Sequence, residues 1–270
     1  MTNSNSSNSP YILEMRNVSK TFPGVKALDQ INLRVKRGSV HALMGENGAG
    51  KSTLMKILYG IYIPDEGGEL ILDDKPFKPG RPIDAIRRGL TMVPQEISPA
   101  ANLTIADNFY LGREITKGKF FLNQKAMNEQ ASAILKELGV PMDVTEKMSD
   151  VSVAKAQLVA IATAVSNDAK VIIMDEPTTA LTENEVDQLY RIIETVKARG
   201  IAIIFISHKL DEVFRVSDEI TVIRDGQYVD TKPTKEVTKE QLISMMVGRD
   251  MSEMFQRERF ELSDEIVLEI

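Results

Sequence analysis

A glycine-rich segment early in the chain has the composition and spacing of a phosphate-binding loop. Residues 45–52 read Gly-Glu-Asn-Gly-Ala-Gly-Lys-Ser and match the pattern G-x-x-x-x-G-K-[ST]. Glycines let backbone N–H groups converge on phosphate oxygens, and the dipole of a following helix adds positive potential. In such a loop Lys51 reaches the β- and γ-phosphates, and the Ser52 hydroxyl ligates Mg²⁺. The pattern predicts a site for a nucleoside triphosphate with magnesium.

A pair of carboxylates follows an apolar run much later in the chain. Asp175 and Glu176 come directly after residues 171–174, which read Val-Ile-Ile-Met. Asp175 would hold Mg²⁺ directly or through water, and Glu176 would polarise an attacking water. The alternative is that both residues cap the turn at Pro177, but the phosphate loop favours the metal site. Because the chain has no N-K-x-D motif for guanine, we expect the nucleotide to be ATP.

The elements that must position these residues can be read from hydrophobic periodicity. Residues 39–44 form a predicted strand that enters the glycine loop, and residues 52–59 form a predicted helix that leaves it. The apolar runs 171–174 and 201–206 are typical of buried strands in a parallel sheet. A predicted helix at residues 183–199 lies between them. This order of strand, loop and helix is what the phosphate-loop motif requires.

The remaining patterns predict an antiparallel layer and a helical insertion. Residues 11–15 and 31–35 alternate apolar and polar side chains, as in strands exposed on one face. Hairpin turns are predicted at residues 73–74 and, more strongly, at Asp225-Gly226, which suits a type I′ turn. From residue 104 to residue 165 apolar residues recur at helical spacing. The fold class is therefore predicted as α/β, a P-loop NTPase core with an antiparallel β subdomain and a helical insertion at about 97–165.

Composition narrows the function classes further. The 270 residues include no cysteine and two histidines, so zinc-finger and iron–sulfur sites are excluded. The net charge of −6 argues against nucleic acid as a partner. Residues 1–10, rich in Ser and Asn, lack the features of a secretory signal and are interpreted as a disordered leader. No apolar run is long enough to span a membrane. The absence of a signal, together with the absence of cysteine, favours a cytoplasmic location. His41, on the strand before the loop, is expected to pack or hydrogen-bond there.

The order of the motifs resembles that of ATP-binding-cassette ATPases over residues 11–249. The phosphate loop is followed by Gln95, a signature-like segment at Ser152, the carboxylate pair, and His208. Residues 22–28, 41–53 and 245–249 resemble, more closely, the N-terminal half of the tandem ATPase subunits of bacterial monosaccharide importers. These importers are of the galactose, ribose and xylose kind, and the galactose or methyl galactoside group is the nearest in pattern.

This resemblance implies roles for individual positions. It assigns nucleotide binding to Phe22, Gly45, Asn47, Gly48, Ala49, Gly50, Lys51, Ser52 and Thr53. Within that set Phe22 would stack on adenine, although an aromatic at a strand end is also an ordinary core residue. The metal ligands implied are Ser52, Gln95 and Asp175. Glu176, His208 and Gln95 are the implied catalytic residues: His208 would contact the γ-phosphate, and Gln95 would relay the nucleotide state to membrane subunits.

The chain departs from the family pattern at the signature. Residues 151–155 read Val-Ser-Val-Ala-Lys, whereas the family has L-S-G-G-Q. Ser152 remains, but both glycines, which permit close backbone approach to a phosphate, are absent. In the family this segment serves the nucleotide held by the opposite domain, so one competent and one degenerate site are expected in the assembly. Thr182 stands where aspartate is common, which weakens the expectation of cross-domain hydrogen bonding there.

The family also implies partners and a location. The chain would pair with a second ATPase domain, either its own C-terminal repeat or a second copy, and dock on transmembrane permease subunits through the helical insertion. A periplasmic sugar-binding protein would act indirectly. The resemblance thus implies an ATPase that energises monosaccharide import as a peripheral protein at the cytoplasmic face of the inner membrane.

Two other functions remain open at this point. One is a soluble cassette protein of translation or DNA repair, which would need a basic surface or a long coiled-coil insertion that this acidic chain lacks. The other is a nucleotide-dependent regulatory module with negligible hydrolysis, which the poor signature makes reasonable.

The end of the chain suggests a repeat. Residues 267–270 read Val-Leu-Glu-Ile and echo Ile-Leu-Glu-Met at residues 12–15, the first predicted strand. The predicted organisation is therefore a leader at 1–10, an ATPase domain at 11–249, and at 250–270 a linker with the first strand of a second ATPase domain.

Overall fold

A ten-stranded sheet is the scaffold of the protein, seen here in a computed structural model that describes residues 9–118 and 121–248. The strands are β1 (Tyr11–Phe22), β2 (Val25–Lys36), β3 (Val40–Met44), β4 (Glu69–Leu72), β5 (Lys75–Pro76), β6 (Leu90–Val93), β7 (Thr116–Lys117), β8 (Phe121–Leu122), β9 (Val171–Asp175), β10 (Ala202–Ile206), β11 (Glu219–Arg224) and β12 (Gln227–Pro233). Their order in the large sheet is β5-β4-β1-β2-β12-β11-β3-β10-β9-β6, and β7 pairs with β8 separately.

Helices cover the sheet and fill the connections between its strands. They are α1 (Lys51–Leu58), α2 (Pro82–Arg87), α3 (Ile105–Tyr110), α4 (Gln124–Glu137), α5 (Val153–Ser166), α6 (Glu183–Ala198), α7 (Leu210–Val216) and α8 (Lys239–Val247), with short 3-10 turns at Met148–Asp150 and Thr234–Glu236. None of the helices in the described ranges has the length and apolar character needed to cross a membrane.

The parallel part of the sheet is buried on both faces, as the sequence predicted. Strand β10 lies between β3 and β9, parallel to both, and every residue of β10 is buried. Because side chains alternate along a strand, Ile203 and Phe205 pack in one apolar cluster, whereas Ala202, Ile204 and Ile206 pack in the other. This double burial fixes the register that aligns the carboxyl ends of β3, β9 and β10.

The antiparallel layer and the hairpins are also confirmed. Strands β1 and β2 pair with Leu13 opposite Val35, and β1 pairs on its other side with β4. The β11–β12 hairpin turns at Asp225 and Gly226, whose φ angles are 51° and 74°, as a type I′ turn requires. Strand β6, helix α2 and the small β7–β8 hairpin were not predicted.

The middle of the chain is mostly helical between β6 and β9. Helices α3, α4 and α5 pack together through buried residues that include Phe109, Ala131 and Leu135. Each of the three begins with a capping side chain, supplied by Thr104, Asn123 and Ser152 respectively. Most of the predicted leader, and the predicted linker and repeat strand at 250–270, lie outside the described residues.

Candidate functional site

The glycine loop joins the end of β3 to the start of α1. Gly50 is the N-cap of α1 with φ of 102°, and a Cβ atom there would lie 2.5 Å from Cδ2 of Leu28 and 2.9 Å from the carbonyl oxygen of Ala27. Gly45, with φ of 155°, sits against the carbonyl of Ile223, which a Cβ atom would overlap. Glycine is therefore required at both ends of the loop by backbone conformation and by close contact.

Lys51, the first residue of α1, is folded over the loop. Its Nζ donates to the carbonyl oxygens of Gly45 at 2.6 Å and Glu46 at 2.9 Å. Burial lowers the pKa of Lys51, and the negative charges of Glu176 and Asp175 oppose that shift. The ammonium group is thus held by two neutral carbonyls, and phosphate oxygens, which form stronger charge-assisted hydrogen bonds, would compete with them.

The parallel register brings the carboxylate pair to the same edge of the sheet. Asp175 ends β9 and lies opposite Ile206, which ends β10. Burial raises the pKa of Asp175, and repulsion from Glu176 raises it further, while Lys51 and Lys56 oppose the shift. A cation at this edge would relieve both unfavourable effects.

Glu176 is held by partners from two other segments. Its Oε1 lies 3.0 Å from Nδ1 of His208, and its Oε2 accepts a hydrogen bond of 3.1 Å from Nε2 of Gln95. Its own backbone has φ of 45°, in the left-handed region that a non-glycine residue seldom adopts. The backbone N–H of Glu176 donates to the carbonyl of Ile206 at 2.9 Å, which anchors this turn. Such strain is characteristic of functional sites.

These elements enclose a cleft of about 270 Å³. It is lined by Ala27, Asn47, Gly48, Gly50, Lys51, Ser52, Thr53, Gln95, Asp175, Glu176 and Ile206. All but Ala27 and Ile206 are residues that the sequence analysis assigned to the site. Those two are apolar and carry no motif, so no sequence signal marks them. Of the other predicted residues, His208 contacts Glu176 but does not line the cleft. Gly45 and Ala49 belong to the phosphate loop and also lie outside the lining.

The donor set at the cleft fits magnesium. Ser52 offers a hydroxyl, Gln95 an amide oxygen and Asp175 a carboxylate, which are the hard oxygen ligands that Mg²⁺ prefers. Within residues 9–118 and 121–248, no group of three or more His, Cys, Asp or Glu side chains could by itself hold a metal ion. A metal at this cleft would therefore need further oxygens from phosphate or water, as is usual for Mg²⁺.

Phe22 lies outside the lining of the cleft. Its ring packs edge-on against Tyr62 with centroids 5.2 Å apart, and Nζ of Lys20 lies 5.4 Å from its centroid. The ring is only partly buried at the end of β1, so part of its surface is accessible to a stacking partner. Tyr62 was missed by the sequence analysis because its position after α1 belongs to no recognised motif.

The signature-like segment is separate from the cleft. Ser152 is exposed and caps α5, its Oγ accepting a hydrogen bond from the backbone N–H of Lys155 at 3.3 Å. Thr182 directly precedes α6, and both its backbone N–H and its hydroxyl donate to Oε2 of Glu185. Both residues therefore have a local structural role in the described chain.

His41 is the second residue of β3, the strand that leads into the phosphate loop. It is fully buried, and its Nε2 is 2.7 Å from Oγ1 of Thr221. Burial, with a smaller contribution from the positive charge of Lys36, lowers the pKa of His41 to about 4. The histidine is thus neutral at pH 7 and packs and hydrogen-bonds inside the core, as expected.

Comparison with known proteins places this geometry in a family. The family model described as "ABC transporter" matches residues 28–179. The chain is 48% identical over 261 residues to a galactose/methyl galactoside import ATP-binding protein of Yersinia pestis, which covers 96% of this chain and 51% of that protein. It is 47% identical over 263 residues to the protein of the same name from Fusobacterium nucleatum, covering 97% and 52%. The chain thus spans about half the length of the curated relatives it matches.

Solved structures agree on the fold. A crystal structure of an ATP-binding cassette of an ABC transporter in its ADP conformation superposes with a TM-score of 0.76 at 26% identity, covering 92% of this chain and 99% of that one. A nucleotide-free cassette from an ABC transporter gives 0.75 at 26% identity, covering 89% and 96%. With a P-loop NTPase fold, a phosphate loop and a family model that matches more than half of its length, this chain is a member of the ABC transporter family.

Proposed function

We propose that the chain binds ATP with Mg²⁺ and hydrolyses it to energise import of a monosaccharide. The observation that carries the proposal is the meeting of Lys51, Ser52, Asp175 and Glu176 at one cleft, with Gln95 and His208 on the carboxylate of Glu176. Transfer of a phosphoryl group to water requires four groups: a cation, a hydroxyl, a metal-binding carboxylate and a second carboxylate.

Each residue of the cleft has its own role in the proposed reaction, set by where it lies. Lys51 and the backbone N–H groups at the start of α1 bind the phosphates, where the helix dipole is favourable. Glu176 orients a water at the sheet edge and accepts its proton on a carboxylate oxygen. Gln95 and His208 hold that carboxylate in place. We assign to His208 a contact with the γ-phosphate of the bound nucleotide. When bound by Ser52, Asp175 and Gln95, Mg²⁺ supplies charge neutralisation at the phosphates.

The substrate class comes from the relatives. Proteins that match nearly all of this chain are named as galactose/methyl galactoside import ATP-binding proteins. We assign the same class, with ribose and xylose as the alternatives, and place the chain against membrane permease subunits at the cytoplasmic face of the membrane. A periplasmic sugar-binding protein would deliver the sugar to those subunits.

A shallow groove supports docking on a permease. It has a volume of about 220 Å³, and its lining includes residues of β6 and α5 together with Ile97 and Pro99. The segment that carries Gln95 leads directly into it. A cytoplasmic helix of the permease seated here would sense movement of Gln95, and through it the state of the nucleotide site.

A second ATPase domain would complete the site. We propose that it closes over the cleft, excludes water and presents its own signature serine to the γ-phosphate. Ser152, exposed at the start of α5, would face the nucleotide of that second domain. Because residues 151–155 lack the glycines of the family signature, the site that Ser152 serves would be the weaker of the two.

Reconstitution tests the proposal. The chain, joined to a second ATPase domain, is incorporated into vesicles with candidate permease subunits and a sugar-binding protein, and phosphate release is measured with galactose, ribose, xylose or no sugar. We expect one sugar to stimulate turnover and Glu176→Gln to abolish it. Equal turnover with and without every sugar would reject the transport assignment, while absence of any turnover would reject hydrolysis.

A regulatory module is the second candidate, favoured by the departures from the family at residues 151–155. Such a module would bind ATP and dimerise without turnover. Steady-state hydrolysis, measured with the chain alone and with its partner domain, separates the two functions, because a regulatory module stays silent in both.

A further inference from the structure

A buried carboxylate on α7 bridges the two segments that carry Glu176 and His208. Both oxygens of Glu212 accept from the hydroxyl of Thr178, at 2.7 and 2.8 Å. Oε2 also accepts from the hydroxyl of Ser207 at 2.9 Å, and Oε1 pairs with Nζ of Lys209 at 3.1 Å. Glu212 is thus held by three donors.

Two of these donors lie within two residues of Glu176 or His208 in the sequence. Thr178 lies two residues after Glu176, and Ser207 directly precedes His208. Thr178 is 2% exposed, Ser207 3% and Glu212 8%. Hydrogen bonds to a charged group in a buried setting are stronger than those between neutral groups, and they hold both segments at a fixed spacing.

The contacts of Glu212 help to explain why Glu176 and His208 lie close together, which strand pairing alone does not explain. Register aligns Asp175 with Ile206, but the residues beyond those strand ends are loops, and Glu176 and His208 belong to them. The backbone hydrogen bond from Glu176 to Ile206 extends the pairing of β9 with β10 by one residue, whereas His208 lies two residues beyond the end of β10. The 3.0 Å contact between Glu176 and His208 therefore also depends on what holds the loop after β10 against the loop after β9. Glu212 contacts Thr178 in the loop after β9 and Ser207 in the loop after β10.

We propose that Glu212 is a positioning residue for ATP hydrolysis, which locks the loop after β9 to the loop after β10 and so sets the contact between Glu176 and His208. The inference rests on the proposed hydrolytic function. Glu212 acts through Thr178 and Ser207, so its removal lowers turnover while binding of the nucleotide, which depends on the phosphate loop, persists.

Turnover is the first test. Glu212→Gln keeps the size of the side chain and one carbonyl acceptor but removes the charge, whereas Glu212→Ala removes every contact. We expect kcat to fall by about tenfold or more in Glu212→Ala, with a smaller loss in Glu212→Gln and a change in KM for ATP below about twofold. Asp187→Asn is the matched control, because Asp187 pairs with Arg215 between α6 and α7 on the exposed surface.

Histidine NMR tests the positioning without any need for turnover. The chain has only His41 and His208, so imidazole resonances report each one separately. We expect Glu212→Gln to move the His208 signals, Asp187→Asn to leave them in place, and the buried His41 signals to stay unchanged in both. Thr178→Val and Ser207→Ala, which each remove one donor and retain the Glu212 charge, should move the His208 signals by smaller amounts.

The outcomes separate the two proposals. If the parent chain, with its partner domain, does not hydrolyse ATP, the proposed function fails, and the NMR comparison still decides the role of Glu212. His208 signals that match the parent in Glu212→Gln, Thr178→Val and Ser207→Ala would overturn the inference. So would a loss of ATP affinity equal to the loss of turnover. If Glu212→Gln does not fold, the Thr178 and Ser207 variants carry the test.

Discussion

The Nδ1 atom of His208 lies 3.0 Å from Oε1 of Glu176, although the two residues are 32 positions apart and follow different strands. An ionised carboxylate can only accept a hydrogen bond, so this contact needs an imidazole that carries a proton on Nδ1. The pair thus fixes which ring nitrogen of His208 faces Glu176, and Nε2 lies on the far side of the ring.

This arrangement makes Glu176 the residue whose loss should separate binding from turnover. In Glu176→Gln the side chain keeps its shape but cannot take a proton from water, so we expect kcat to fall by at least about a hundredfold while ATP affinity stays within about twofold. Equilibrium binding and steady-state phosphate release measure the two effects. Glu183→Gln, at the exposed start of α6, is the control. Undiminished hydrolysis in Glu176→Gln would remove Glu176 from the role of base.

Lys51 should govern nucleotide affinity. Lys51→Ala removes the ammonium that the phosphates would bind, and we expect ATP affinity to fall by about tenfold or more, with little change in thermal stability. Titration calorimetry with Mg-ATP measures this. Lys125→Ala, on the exposed face of α4, should bind as the parent does. Unaltered affinity in Lys51→Ala would contradict the assignment of the loop.

Substitution of Gly50 should destabilise the fold more than substitution of another glycine that also has a positive φ angle. Gly139→Ala places a Cβ atom in open space at φ of 74°, so it should cost only the conformational strain, about 1–2 kcal/mol. Gly50→Ala adds overlap with Leu28 and the Ala27 carbonyl at φ of 102°. We expect a larger fall in the free energy of unfolding, measured by urea denaturation, and weaker ATP binding. Equal destabilisation in the two variants would show that contact is unimportant at Gly50.

His41 should make stability depend on pH. Its pKa is about 4 in the folded chain against an ordinary value of 6.5, so between these pH values the unfolded chain binds more protons. The free energy of unfolding should therefore fall as pH drops from 6.5 towards 4, with a contribution from His41 on the order of 3 kcal/mol.

Within the described residues, His41 faces Thr221, Glu219, whose Oε2 lies 3.9 Å from Nδ1, and the charge of Lys36. His41→Leu removes the titration, and the Thr221 hydroxyl retains Thr231 as a partner at 2.7 Å. Urea denaturation from pH 4.5 to 7 should show a flatter dependence in this variant. A slope equal to that of the parent would assign the acid sensitivity to other groups.

Phe22 should contribute to binding of the adenine base of ATP but not to binding of its phosphates. We expect Phe22→Ala to weaken ATP by about tenfold, since base stacking on an aromatic ring is worth about 1–3 kcal/mol. Affinity for inorganic tripolyphosphate, which has no base, should not change. Equal losses for both ligands would indicate that Phe22 acts through the fold, by its contact with Tyr62.

The sequence by itself determined the features that arise from short, local patterns. The phosphate loop at 45–52 and the turn at Asp225-Gly226 follow from the conformations that glycine permits. The strand that ends at Asp175 follows from an apolar run, because both faces of a parallel sheet must be buried. Each of these patterns is contained within a few neighbouring residues, so periodicity and composition are sufficient to identify it.

Only the tertiary structure decided how distant side chains meet. Three sets of contacts depend on strand register and on loop dihedral angles. They are the hydrogen bonds of Gln95 and His208 to Glu176, the packing of Tyr62 on Phe22, and the bridge made by Glu212. No local pattern encodes these, since Glu212 looks in sequence like any acidic residue in the first turn of a helix. Its burial and its three donors exist only because β9, β10 and α7 pack at one edge of the sheet.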